Sequence, residues 1–377
     1  MHHTYNTQEP GLNGRGVVAL ATTLREQVLS GALPAGRFLP PVRALAHSHA
    51  VATVTVNRAL KLLAREGLVI AHARQGYLVR PGAADPDRGL PLAYVNSSQH
   101  EVGAGMDLFH RNLLMEFQRV AGERGWALLC LDADRMEPAE MVGRIAAANC
   151  SGILTNAIRE ELRTAVAAIG IPSVQVDAWR ECEPCEPCDC VLQDGFMGGL
   201  QAGNHLVNQG HTRIGWIGPE LAAGIPQVLE RFSGAHAALL PKGLAFARQI
   251  EAPLGEPEAA RKAAVALLRG KNRPTAVLAL WQDMSRAVAR AAAELRLSIG
   301  QDFEMVGWCT EEEYASFYVP LFPTGAAPPA VVWSIARMAD AAVARLKQRR
   351  AEPELAPLFL RVPTRLRSNE QEKPSCT

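Results

Sequence analysis

The feature that most limits how this chain can fold is an alternation running from about residue 92 to residue 308. Short apolar runs of strand length, "LAYVNSS", "WALLCLDA", "GILT" and "PSVQVDA", are separated by segments with helical periodicity over 108–124, 137–148 and 160–169. A second series follows: a helix over 196–209, "RIGWIG", a helix over 229–240, "FARQIEA", a helix over 258–269, "TAVLAL", a helix over 285–295 and "FEMVGW". Strands that are apolar on both faces and joined by helices belong in a parallel sheet covered on both sides. Two successive series predict an α/β domain of two similar Rossmann-like lobes, with a ligand bound outside the carboxyl ends of the strands.

Nucleotide enzymes share this alternation, but their signatures are absent. The sequence has no G-x-x-x-x-G-K-[ST], no G-x-G-x-x-G after the first strand, no H-E-x-x-H and no nucleophile elbow. "GFMGGLQAG" (195–203) is glycine-rich but has the wrong spacing for phosphate. These absences argue for a binding protein over an enzyme.

At 377 residues the chain has room for more than this one domain. No apolar run approaches the ~20 residues that cross a bilayer. The opening "MHHTYNTQEPGLNGRG" lacks the apolar core of a secretion signal. Both points predict a cytoplasmic protein with reduced thiols and no membrane partner. The net charge of +1 hides an asymmetry, because residues 1–82 hold nine Arg/Lys against three acids. A basic front on an acidic remainder predicts an anionic polymer as the partner of the front.

The front reads as three helices and a hairpin. Val17, Leu20, Ala21, Leu24 and Val28 form one helical stripe, and "SGALPAG" breaks it. A short helix fits "PPVRALAHSH". A third, from about residue 52 to 66, turns Val56, Ala59, Leu60 and Leu63 inward and leaves Thr53, Val54, Asn57, Arg58 and Lys61 on the open side or its edges. "LVIAHA" and "GYLVR" then flank a tip at His72-Ala73-Arg74-Gln75-Gly76. This is the pattern of a winged helix-turn-helix. Asn can bond an adenine edge, Thr or Val can touch a thymine methyl, and Arg58 and Lys61 suit phosphates. A merely solvated helix face is the competing reading for any one of these residues.

Residues 24–79, "LREQVLSGALPAGRFLPPVRALAHSHAVATVTVNRALKLLAREGLVIAHARQGYLV", resemble the DNA-binding domain of the GntR family of bacterial transcription regulators. The resemblance implies that Arg43 contacts the DNA backbone or a base, Thr55 a phosphate, and Asn57 the bases. The family commonly has Ser-Arg where this chain has Ala52-Thr53, and glycine where it has Arg74. The missing arginine removes a common DNA contact, which Arg74 at the wing could replace.

Residues 92–367 resemble the effector-binding domain of LacI/GalR-type regulators, a periplasmic-binding-protein-like fold. The resemblance is carried by "VLQDGFMGGLQAGNHLVNQGHTRIGWIG", "ERFSGAHAAL", "PTAVLALWQDMSRAVARAAAELRLSIGQDFEMVGW" and "YVPLFPTGAAPPAVVWSIARMADAAVARL". It implies that Arg231 and Asp283 lie in the effector cleft, an arginine fork and a carboxylate that together could clamp a polyol. Each could instead cap a helix, and Asp283 stands just before the helix expected to begin near Ser285. Trp281 and Trp308, at the ends of two neighbouring expected strands, could stack on a sugar face or sit in the core. Phe109 and His110, and Gln99 after the first strand, are weaker candidates. Cys309 stands where the family often has Asp.

The loop "ECEPCEPCDC" (181–190) places Cys182, Cys185, Cys188 and Cys190 at C-x2-C-x2-C-x-C spacing. Four thiols could hold a soft metal or sense redox state. Zinc sites, however, usually draw ligand pairs from two separated knuckles, and no His joins this loop. The expectation is an insertion with free thiols just before a crossover between lobes, with no metal and no cofactor.

The sequence therefore predicts residues 1–15 as a flexible N-terminus, 16–80 as a winged helix-turn-helix, 81–91 as a linker, 92–367 as the two-lobed periplasmic-binding-protein-like domain and 368–377 as a tail. The expected function is a homodimeric transcription regulator, a repressor, that binds a double-stranded operator and responds to a small polar effector such as a sugar. A metal- or thiol-responsive regulator and an enzyme fused to a DNA-binding head are the alternatives.

Overall fold

The computed structural model describes residues 11–80, 91–96, 108–156, 158–177, 188–223, 225–323 and 325–368. Its internal contacts divide the chain into two compact units, Met1–Leu92 with Gln118–Leu128 and Ala93–Phe117 with Leu129–Thr377.

The first unit holds a head of three helices, α1 (Gly11–Leu29), α2 (Val42–Ser48) and α3 (Thr53–Arg65), and an antiparallel hairpin of β1 (Val69–His72) and β2 (Gly76–Val79). Helix α1 opens at Gly11, ahead of the boundary expected at residue 16. Val17, Leu20, Leu24 and Val28 of α1 meet Val56, Leu60 and Leu63 of α3 in one core. Each such aliphatic side chain contributes about 1.5–3 kcal/mol on burial. Arg25 of α1 pairs with Glu66, just past α3, at 2.6 Å. The hairpin is tied back to the α1–α2 connection, where Leu39 N–H donates to the Tyr77 carbonyl at 2.7 Å and Val79 N–H to that of Arg37 at 2.8 Å.

The chain continues through β3 (Leu92–Asn96), α4 (Leu108–Glu123), β4 (Leu128–Asp132), α5 (Pro138–Ala147), β5 (Gly152–Asn156), α6 (Glu160–Ala168), β6 (Ser173–Val176) and β7 (Asp189–Gln193). It then crosses to a second lobe: α7 (Gly195–Asn208), β8 (Ile214–Gly218), α8 (Pro226–Leu239), β9 (Arg248–Glu251), α9 (Pro257–Leu268), β10 (Ala276–Ala279), α10 (Trp281–Glu294), β11 (Glu304–Thr310), the single turn α11 (Glu311–Glu313) and β12 (Ala330–Trp333). Helix α12 (Ile335–Ala351) and β13 (Phe359–Val362) return to the first lobe, and β14 (Arg365–Arg367) ends in the second. The two six-stranded sheets have the orders β13-β7-β6-β5-β3-β4 and β14-β12-β11-β10-β8-β9. Strand β14 runs antiparallel to β12, and the pairs β6–β7, β7–β13, β8–β10 and β10–β11 are parallel.

The backbone crosses between lobes at Asp194, at Ser334 and at residues 363–364, and side chains fasten each crossing. The Asp194 carboxylate accepts from Met197 N–H at 3.1 Å and caps α7. Ser334 caps α12, accepting from Arg337 N–H at 3.2 Å. Glu312 accepts from the Ser334 hydroxyl at 2.9 Å and from the Ile335 and Ala336 amides at 3.1 Å. The Thr364 hydroxyl donates to the Asp194 carbonyl at 3.1 Å, which joins the first crossing to the third. The buried Asp189–Arg345 pair, 2.6 Å, holds α12 against β7.

Helices α7 and α8 pack unusually closely, and this explains the glycine-rich stretch. A β-carbon on Gly199 would lie 2.1 Å from the Arg231 carbonyl oxygen, and one on Gly234 would lie 2.0 Å from that of Phe196. The glycines let two backbones touch, and the contact fixes where Arg231 emerges from α8.

Candidate functional site

Two sites emerge, one in each unit. In the head, α3 has a buried stripe of Val56, Ala59, Leu60 and Leu63. Thr53, Asn57, Arg58 and Lys61 are exposed, and Thr55 is half-buried. Arg43 on α2 and Arg74 at the hairpin tip are also exposed. Arg74 has φ +66°, the left-handed region, which is why glycine suits this turn. A helix face carrying Asn, Thr and two cations beside a basic hairpin tip has the chemistry to read base edges and hold phosphates.

The second site is the cleft between the two lobes of the larger unit. Polar residues stand at the carboxyl ends of neighbouring first-lobe strands: Asn156 ends β5, Asp177 follows β6 and Gln193 ends β7. From the second lobe, Trp308 Nε1–H donates to Gln193 Oε1 at 3.1 Å, and Gln227 Nε2–H of α8 reaches Asp177 Oδ1 at 3.5 Å. Burial pushes the Asp177 carboxyl above its ordinary value, against the attraction of Arg231 and His110. Asp177, at φ +48°, and Trp281, at φ +60°, both have left-handed backbone on opposite walls of the cleft. Such a conformation costs a non-glycine residue roughly 1–2 kcal/mol, and strain of this kind concentrates at binding sites.

Arg231 lies at the centre and is only 1% exposed. Its guanidinium carbon sits over the Trp281 ring at 4.8 Å and over the Trp308 ring at 4.4 Å. None of its three nitrogens has a hydrogen-bond acceptor among the described residues. Burial pushes its pKa down to about 9, against the pull of Asp177 and Glu230. Buried donors without partners are expensive, so this arrangement is suited to a ligand that brings acceptors.

The residues singled out from sequence scatter more than expected. Arg231, Trp281 and Trp308 come together. Trp281 does not end a strand: β10 stops at Ala279, and Trp281 opens α10, so that helix begins ahead of Ser285. Trp308 lies within β11, buried. Phe109 opens toward the second lobe, with its ring 5.6 Å from that of Trp333, and the adjacent His110 is buried and interacts with Asp177. Asp283 is exposed in the first turn of α10 and lines a separate hollow with Pro253, Gly255, Arg286 and Arg290, so it forms no clamp with Arg231. Gln99, Cys182 and Cys185 lie outside the described residues. Cys190 is a buried residue of β7, and Cys188 lies 3.6 Å from Gln175 Oε1. Among the described residues no group of three or more His, Cys, Asp or Glu could hold a metal ion.

Sequence reasoning missed Asp177, Gln193 and Gln227. One signal was available. Gln227 and Arg231 stand four apart on the buried stripe of α8, a polar pair where core residues belong.

Residues 18–79 match the bacterial regulatory proteins of the gntR family, and residues 204–368 match the periplasmic binding protein-like domain. The head is therefore similar to the gntR-family model, and the larger unit to the two-lobed periplasmic binding protein-like fold. Similar proteins include the HTH-type transcriptional repressor PurR of Pectobacterium carotovorum subsp. carotovorum (strain PC1), 32% identical over 143 residues, 36% of this chain and 39% of that one. The PurR repressor of Escherichia coli O1:K1 / APEC is 32% identical over 162 residues, 41% of this chain and 44% of that one. The chain thus spans about two fifths of the length of the curated relatives it matches, between 39% and 44%.

Among solved structures, a transcriptional regulator CelR–cellobiose complex superposes with a TM-score of 0.60 at 19% identity, over 87% of this chain and 98% of that one. A Lac repressor dimer bound to operator and the anti-inducer ONPF gives 0.59 at 18% identity, over 74% and 93%. These likenesses show the shared fold. Among the described residues no helix is long and apolar enough to cross a membrane.

Proposed function

We propose that this protein is a DNA-binding transcription regulator, a repressor, that reads a two-fold operator as a homodimer and is controlled by a small polar ligand bound between its lobes. Helix α3 enters the major groove with Asn57 and Thr53 toward the bases, while Arg43, Thr55, Arg58 and Lys61 hold phosphates. Arg74 at the wing reaches the backbone or the adjacent minor groove. The ligand, a sugar or sugar derivative, meets Arg231, Asp177, Gln193 and Gln227, with Trp281, Trp308 and Phe109 as walls. It favours one arrangement of the lobes, and that preference changes operator affinity. No catalytic step belongs to this reading.

One observation carries it above the others: a chain with a gntR-family head also has, in a two-lobed cleft, a buried arginine whose three nitrogens lack acceptors among the described residues. The test combines operator selection from random duplexes with a thermal-shift screen of sugars and sugar phosphates. A ligand that raises the melting temperature should also change operator affinity by about 5–150-fold. Arg231→Ala should abolish that response and leave ligand-free DNA binding intact. A head that selects no duplex sequence over bulk genomic fragments sinks the proposal.

A further inference from the structure

The charge balance around Arg231 narrows the ligand class, an inference that rests on the cleft being the ligand site. Two carboxylates lie near this arginine and neither balances it. Glu230 is committed elsewhere, because its two oxygens accept from Arg361 at 2.7 and 2.8 Å. Asp177 attracts Arg231 without pairing with it, accepts from Gln227 at 3.5 Å and also bonds Gln193, and is pushed by burial toward its neutral form. The two indoles shield the guanidinium from water and offer no in-plane acceptor. The buried cation is therefore attracted by Asp177 and Glu230, but none of Nε, Nη1 and Nη2 has a hydrogen-bond acceptor among the described residues.

A neutral hydroxyl could accept from one of these donors but would leave the charge uncompensated. A group with two anionic oxygens matches the guanidinium fork and cancels the charge. Beside it, Gln227 keeps an open Oε1, which suits a ligand hydroxyl. We infer that the ligand is an anionic polyol, a sugar acid or a sugar phosphate, whose negative group is bound by Arg231. The tryptophans act as an insulating wall for the charge pair instead of a platform for a sugar face.

Full-length protein, wild type and Arg231→Met, should be melted with D-glucuronate, D-glucose 6-phosphate, D-glucose and acetate, each against chloride at constant ionic strength. In wild type at least one anionic probe should raise the melting temperature by about 3 °C or more, with no rise from D-glucose. Arg231→Met should lose the rise while keeping the wild-type circular dichroism spectrum. Should that variant fail to fold, Arg231→Lys keeps the charge without the fork and should weaken the anionic probe at least tenfold. A response to glucuronate or acetate identifies a carboxylate source, and a response to the phosphate alone identifies a phosphoryl source. Stabilisation by neutral sugars and not by anions overturns the inference while the cleft reading survives. An anion response unchanged in either variant, or no anion response in wild type, overturns it too. If an anion binds through Arg231 but leaves operator affinity unchanged, the regulatory reading falls and the ligand class stands.

Discussion

Arg361 and Glu230 form a two-point ion pair across the lobes, with the guanidinium nitrogens 2.8 and 2.7 Å from the two carboxylate oxygens. Arg361 lies on β13 of the first lobe, one strand position before the last crossing. Glu230 lies on α8 of the second, next to Arg231 in sequence. The pair therefore fastens the cleft beside the residue expected to meet the ligand. Both side chains are partly exposed, at 41% and 28%, so the pair contributes about 0.2–1 kcal/mol after solvent screening. Glu230→Gln and Arg361→Ala should each weaken ligand binding up to about fivefold, and the double variant should be no worse than either single one. Calorimetric titration of all four proteins measures this coupling, and added salt should shrink it in wild type only.

On the head, Asn57 and Lys61 should separate cleanly. Asn57→Ala should flatten the preference for operator over scrambled duplex by about 1–3 kcal/mol. Lys61→Ala should weaken every duplex alike and lower the salt slope by about one. Fluorescence anisotropy across a salt series reports both quantities. An unchanged preference in Asn57→Ala would place a different face of α3 against the bases.

Arg74 occupies a left-handed turn position, φ +66°. Arg74→Gly removes backbone strain there and should leave the head as stable or up to about 1 kcal/mol more stable, read from its denaturation midpoint. The same change should reduce DNA affinity and the salt slope, because it deletes a wing cation. Full affinity in the glycine variant would show that the wing makes no charged contact.

The depressed pKa of Arg231, about 9, predicts how binding varies with pH. An anionic ligand needs the guanidinium charged, so affinity should fall by up to about tenfold per pH unit once pH rises through about 9. The other groups facing the site are Asp177, His110 and the Glu230–Arg361 pair. Ionisation of Asp177, whose carboxyl is raised by burial, also opposes an anion as pH rises, so the two effects have the same sign. The ligand-free chain should gain stability as pH climbs above about 9, because the unfolded state then holds a proton that the folded state has lost. Titrations on either side of pH 9 check the first statement, and denaturant midpoints check the second.

Much of the architecture could be read from periodicity. The stripes on α1 and α3 name the residues of the head core, and the strand–helix alternation names two parallel sheets. What could not be read is long-range. Arg231 reaches Trp308 only because Gly199 and Gly234 allow α7 and α8 to touch, and glycine in a helix reads locally as a weakness. The resemblance implies that Asp283 lies in the effector cleft. The early start of α10 turns it outward and brings Trp281 in instead. Asp177 looked like an ordinary strand end, and its importance lies in neighbours contributed by α8 and β7.

Three backbone crossings, fastened by Asp194, Ser334 with Glu312, and Thr364, have a mechanical consequence. A single tether would let the lobes swivel freely, and a pair would still allow them to twist about the line joining the tethers. A third, bonded to the first, restricts the motion to something near one opening angle. Under the proposed function, the cleft would act on the head through a single coordinate, and any substitution that changes its resting value should act on ligand and operator alike.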